Sequence, residues 1–182
     1  FYLLFFISIG IGIAGCSLDE EIYDRAMSDT FVKSEDDVLS LVNGVYSFFP
    51  TFDCYKANLP YQILYGGDDI ATTGAQQRSF ADRSVTASDR YFITPWVGYY
   101  KTINNANSVI QILGNTDVVS EEFRNRILGE MYFMRSFSYF NLVRLHGGVP
   151  IRKEPTTGGS DFYMPRNSVE EVYDFVFEDF KK

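Results

Sequence analysis

The chain has 182 residues, 46% of them hydrophobic, which suffices for one ordinary domain core and excludes general disorder. A net charge of −8 argues against nucleic acid as a partner, because phosphate contacts need a basic surface, and against electrostatic adhesion to an anionic membrane. The 17 Phe and 13 Tyr suit both a helical core and a ligand-stacking surface, and composition does not separate the two.

Residues 1–15 form an apolar run without charge. A bilayer span needs about 20 such residues, so the run reads as the apolar region of a secretory signal. Ile13-Ala14-Gly15-Cys16 looks like a bacterial lipobox, in which Cys16 becomes the lipidated first residue. Asp19, Glu20 and Glu21 follow, resembling the acidic signal that sends such lipoproteins to the outer face of the outer membrane; a solvated acidic linker is the alternative. Residues 16–33 read as lipidated cysteine and tether. With Cys16 acylated, Cys54 has no partner for a disulfide and reads as a buried thiol.

Ser34 with Asp37 marks a helix start. Val38, Leu39, Val42, Val45, Tyr46 and Phe49 then recur at helical spacing until Pro50. Residues 51–64 suggest a further helix broken near Pro60. From 71 to 90 the chain is polar and aperiodic, and a loop of that length between helices usually serves binding. Thr94-Pro95-Trp96 reads as the start of the next helix, over 95–113 and ended by Gly114. Its buried side includes Trp96, Tyr99, Ile103, Ala106 and Val109. Trp96 fits a core position first and a ligand platform second.

Ser120-Glu121-Glu122 opens the longest helix, over 121–146, with acids at its positive end. Leu128, Tyr132, Tyr139 and Leu142 share a face, flanked by Ile127, Met131, Met134 and Leu145. Phe133 and Phe140 widen the apolar surface, while Arg126, Glu130, Asn141 and Arg144 mark a narrow polar strip holding Phe137. A helix apolar around most of its girth lies buried between others. Gly129 and Ser136 offer a small-residue face for close helix approach. Arg135 points into the apolar side, which calls for a buried carboxylate partner. Gly147-Gly148 and Pro150 stop the helix, glycine taking a left-handed cap, and His146 reads as a cationic or dipole-satisfying cap residue. Spacing in both helices matches tetratricopeptide-type hairpins. The last helix opens with a capping box at Ser168 and Glu171 and carries an apolar stripe of Val169, Val172, Tyr173, Val176, Phe177 and Phe180. That stripe runs to the chain end without a stop signal and suggests further sequence.

The run LGEMYFMRSFSYFNLVRLHGGVPI over 128–151 resembles the signature of the SusD/RagB family, with Met131, Ser136 and His146 as mild departures. The Asn43-Gly44-Val45-Tyr46 step resembles the first helix of the same family. The resemblance implies an all-α fold of tetratricopeptide-like hairpins with long irregular loops over 34–182, corresponding to the N-terminal part of that fold. It implies a surface lipoprotein that binds a glycan or peptide beside a TonB-dependent, SusC-like transporter. Asp68, Arg78, Tyr91 and Trp96 are the candidate ligand contacts. Phosphate-loop, HExxH and GxSxG patterns are missing, as are CxxC and Cys/His clusters. Adjacent Asp68 and Asp69 do not make the separated carboxylate pair of a glycosidase. Thus no catalytic residue, metal or cofactor is expected. The alternative is a tetratricopeptide-like scaffold that binds only protein.

Overall fold

A computed structural model of the chain describes residues 32–65, 67, 70, 74, 78–156 and 163–182. The described residues contain helices and connecting segments but no strand. No helix among them is long and apolar enough to cross a membrane.

The first helix, α1, spans Glu35–Tyr46. Ser34 Oγ accepts from the amide of Asp37 at 3.3 Å. The Asp37 carboxylate in turn accepts from Lys33 N and Ser34 Oγ, each at 2.9 Å. These donors, the Lys33 amide foremost, hold the Asp37 carboxyl below its ordinary pKa. A π-helical turn, Phe52–Lys56, leads into α2, Asn58–Leu64. The break expected at Pro60 falls instead at Ala57. Pro60 occupies the first turn of α2, where its missing N–H removes no intrahelical bond. Within the stretch expected to be wholly irregular, Arg78–Ala81 forms a short helix, α3.

Next comes α4, Arg90–Asn115, which begins earlier than the Thr94-Pro95 step suggests. Asp89 is its cap, accepting from Tyr91 N at 2.9 Å. Pro95 is therefore buried inside the helix, where it cannot donate to the Tyr91 carbonyl four residues back. The Gln62 side chain of α2 donates to that carbonyl instead. This substitution explains how a proline survives there, and it ties α2 to α4.

Helix α5 covers Glu121–His146 and α6 covers Val169–Phe180. Ser120 caps α5 and also donates from N and Oγ to Glu35, at 3.2 and 2.8 Å, joining the starts of α1 and α5. The capping box of α6 is formed: Glu171 N donates to Ser168 Oγ and Ser168 N to Glu171 Oε2. The long pair α4–α5 is the expected hairpin; α6 packs along α5, and α1 packs against α4. One core cluster joins α1 to the C-terminal half of α4 and the first half of α5. The other joins α4, the end of α5, Val149 and α6, and it encloses Cys54. Burial raises the Cys54 thiol to about 11, in keeping with an inert structural cysteine.

Several faces differ from the sequence pattern. Asn141 is buried, its amide donating to Phe137 O at 2.9 Å. Phe133, expected to extend the buried surface, is 51% exposed and stacks on Phe137. A Cβ at Gly129 would meet nothing, whereas one at Gly98 would collide with the Phe48 ring at 1.9 Å. Ser136 does meet a helix, donating to Val176 O at 3.1 Å. On α6 the buried residues are Val172, Phe175, Val176 and Asp179, while Val169, Phe177 and Phe180 are exposed. The helix is rotated because the Asp179 carboxylate must reach Arg135. The pair is bidentate, with Arg135 Nε and Nη2 donating at 2.6 and 2.9 Å, which is the buried partner that Arg135 required.

Candidate ligand cavities around Trp96

Residues 149–156 form a strap laid along α4, held by side chains from α4 and α5. Tyr100 Oη donates to Pro150 O at 2.7 Å, and Arg152 N donates to Tyr139 Oη at 2.7 Å. Asn107 Nδ2 donates to the carbonyls of Arg152 and Glu154, both at 3.1 Å. Thr156 N donates to Asn104 Oδ1 at 2.7 Å. Asn107 Oδ1 is itself held by Arg135 Nη1 at 2.7 Å. A continuous polar chain therefore runs from Asp179 on α6 through Arg135 and Asn107 to the strap. Each of these side chains satisfies a backbone or charged group that burial would otherwise leave unpaired. Burial pushes the Tyr139 hydroxyl up to about 12, so it serves here as a neutral donor and acceptor.

Between α4 and the strap lies a cavity of about 490 Å³, bordered by Trp96, Tyr100, Lys101, Asn104, Arg152 and Thr156 among others. A second, of about 450 Å³, lies on the other side of Trp96, against Thr86, Phe92, His146 and Arg166. Trp96 is half-buried and belongs to both walls. Its ring meets His146 edge-on at 5.0 Å and Tyr100 at 5.0 Å, and the Arg166 guanidinium sits 5.6 Å from its centroid. Arg166 is oriented by two bonds from Nη1, to His146 O at 3.0 Å and Gly148 O at 2.9 Å.

The glycine pair shapes this corner. Gly147 has φ 71° and ψ −144°, a positive-φ extended conformation open to glycine, not the left-handed cap that the sequence suggests. At Gly148 a Cβ would lie 2.1 Å from Asn167 O, so glycine allows the backbone at 167 to approach and brings Arg166 to the end of α5. Of the two roles read for His146, cation or dipole-satisfying cap, the cationic one is disfavoured. Burial, and then the nearby Arg166 charge, lower its pKa to about 4. Its Nε2 meets no partner among the described residues. Here desolvation and a like charge outweigh the attraction of the helix end for a cation.

Of the two candidate contacts whose side chains are described, Trp96 borders these cavities and Tyr91 does not. Tyr91 is 5% exposed, with its ring packed edge-on against Tyr61 and Phe80, so it supports α4 from inside. The backbone of Arg78 opens α3. Asp68 and Cys16 lie outside the described residues. The sequence reads Tyr100 only as part of the buried side of its helix, and it does not single out Arg152 or Arg166, because what brings them to Trp96 is the fold-back of the strap, which carries no local periodicity.

Comparison with known proteins agrees with this architecture. The profile of a SusD-like family described as "starch-binding associating with outer membrane" matches residues 18–182. The chain belongs to this SusD-like family. A SusD-like protein of Formosa agariphila is 26% identical over 98% of this chain and 36% of its own length. Another from the same organism is 28% identical over 76% of this chain and 28% of its own. The chain thus spans about a third of the length of the curated relatives it matches. A SusD-like crystal structure from Bacteroides fragilis superposes with TM-score 0.68 at 28% identity, covering 84% of this chain and 29% of that one. One from Parabacteroides distasonis gives 0.69 at 26%, covering 81% and 33%.

Proposed function

We propose that the protein is a cell-surface lipoprotein that binds a glycan and passes it to a TonB-dependent, SusC-like transporter in the outer membrane. The observation that carries this reading is Trp96, whose indole separates two cavities bordered by amides, hydroxyls and cations. Flat aromatic faces with a few placed polar groups are what a sugar ring requires of a non-covalent site. The family description, starch-binding and associated with the outer membrane, supports the same class. Lipid on Cys16 would anchor the protein.

Affinity electrophoresis of the whole protein through gels containing a panel of glycans tests the ligand class. Retardation by at least one glycan that is lost in Trp96→Ala is expected; equal mobility in every gel defeats the reading. Lipid-precursor labelling of cells tests the anchor: label on the protein should disappear in Cys16→Ala. Co-purification of a barrel transporter with the protein from detergent-solubilised outer membranes tests delivery.

A further inference from the structure

The chain as a whole is acidic, with 24 Asp and Glu against 16 Lys and Arg. The cavities on either side of Trp96 reverse that balance. Their described lining contains Lys101, Arg152 and Arg166 and neither Asp nor Glu. The acids gather elsewhere: a cavity of about 750 Å³ on the far side of the strap is bordered by Glu154, Glu171, Asp174 and Glu178, together with Arg152 and Lys153. Arg152 therefore borders both sides of the strap, and Lys101 and Arg166 are the described cations that border the Trp96 cavities and not the acidic one.

Arg166 is the best-defined of the cations. It is exposed, yet its Nη1 is tied to two carbonyls and its Cζ lies 5.6 Å from the indole centroid. Those two bonds use one nitrogen, so the Nε–Nη2 edge of the guanidinium is left to meet an oxyanion. Its charge already acts across the second cavity, since it helps to keep His146 neutral. Lys101 stands on the exposed side of α4 at the first cavity.

We propose that the glycan taken at Trp96 is anionic, carrying carboxylate or sulfate groups that the cations flanking the indole recognise. This rests on the reading of the protein as a glycan binder and departs from starch, which is uncharged. The sugar ring stacks on an aromatic face while an oxyanion pairs with a guanidinium or ammonium group. A neutral chain of equal length forfeits the second contribution.

The test is calorimetric titration of the whole protein with oligogalacturonate, a sulfated oligosaccharide and a maltooligosaccharide of matched length. One or both anionic probes should bind at least about tenfold more tightly than the neutral one, as a charge-assisted hydrogen bond implies. Which of the two does so distinguishes carboxylate from sulfate. In Arg166→Gln the anionic-to-neutral ratio should fall about tenfold. Lys101→Gln, a substitution on an exposed helix position that leaves the strap bonds intact, should lower the ratio by a smaller factor. Higher salt should also lower it. If the neutral probe binds as well as the anionic ones, and the ratio is unmoved by both substitutions, the anionic assignment fails while glycan binding stands. If no probe and no glycan of the wider panel binds, both readings fall together.

Discussion

At the residue scale, Arg135 and Asp179 are the pair on which the most depends. Arg135 is 4% and Asp179 1% exposed, so neither charge has water to fall back on. Removing one partner from such a pair costs about 3–5 kcal/mol, because the other charge stays buried. Asp179→Ala is therefore expected to lower the unfolding free energy by about that amount in urea titrations. The double change Arg135→Met with Asp179→Leu should recover part of the loss, since it removes the desolvation cost along with the attraction but leaves buried Asn107 Oδ1 without the Arg135 donor. His146 gives a pH prediction of definite sign. Its pKa falls from 6.5 to about 4 on folding, so as pH falls the unfolded chain takes up the proton first. This residue's contribution to stability is complete above pH 6.5, declines between 6.5 and about 4, and changes no further below that. His146→Gln should flatten that part of a stability–pH curve, and an unchanged slope would show that the imidazole titrates normally.

At the element scale the question is which glycines the helices need. Gly148 faces backbone at 2.1 Å, Gly98 faces the tip of the Phe48 ring at 1.9 Å, and Gly129 faces nothing. A backbone cannot yield as a ring can. Gly148→Ala should thus be the most destabilising of the three, by about 1–3 kcal/mol, and should displace Arg166. Gly98→Ala should cost less, because Phe48 can swing away. Gly129→Ala should stabilise α5 by up to about 1 kcal/mol, the difference in helix propensity. Thermal melts of the three variants check the order. The sequence marked Gly129 as the close-approach site because it shares a helical face with Ser136. Periodicity identifies a face but not the neighbour opposite it, and α6 reaches only Ser136. The same limit explains α6 itself: Phe177 and Phe180 fit a stripe as well as Phe175 does, and only the Asp179–Arg135 pair decides which side turns inward.

At the scale of the whole molecule, the described aromatic side chains range from fully buried through half-buried to exposed. Tyr99 and Tyr139 are fully buried, while Phe133, Phe177 and Phe180 are 51%, 57% and 43% exposed. The Phe133 ring contacts both Phe137 and Phe180, so α5 and α6 share a continuous apolar patch. An isolated polypeptide of residues 17–182 is therefore expected to be poorly soluble. Analytical centrifugation should find it associated, and replacing Phe133 and Phe177 by Ser should raise the monomer fraction. A monodisperse sample with one cooperative thermal transition would contradict this.

Helix type, the caps at Ser34, Ser120 and Ser168, the α4–α5 hairpin and the need of Arg135 for a buried carboxylate were legible from the chain alone. Each depends on residues a few positions apart or on the high cost of a lone buried charge. The cavities at Trp96 were not legible, because their walls join residue 96 to residues 146, 152 and 166 through a strap whose path is set by side-chain bonds to its backbone. The site of Pro95 was hidden for a related reason: a side chain of α2, far away in sequence, takes over the carbonyl that the proline leaves open. Short-range chemistry thus chose the elements, and long-range hydrogen bonding and charge pairing chose how they meet.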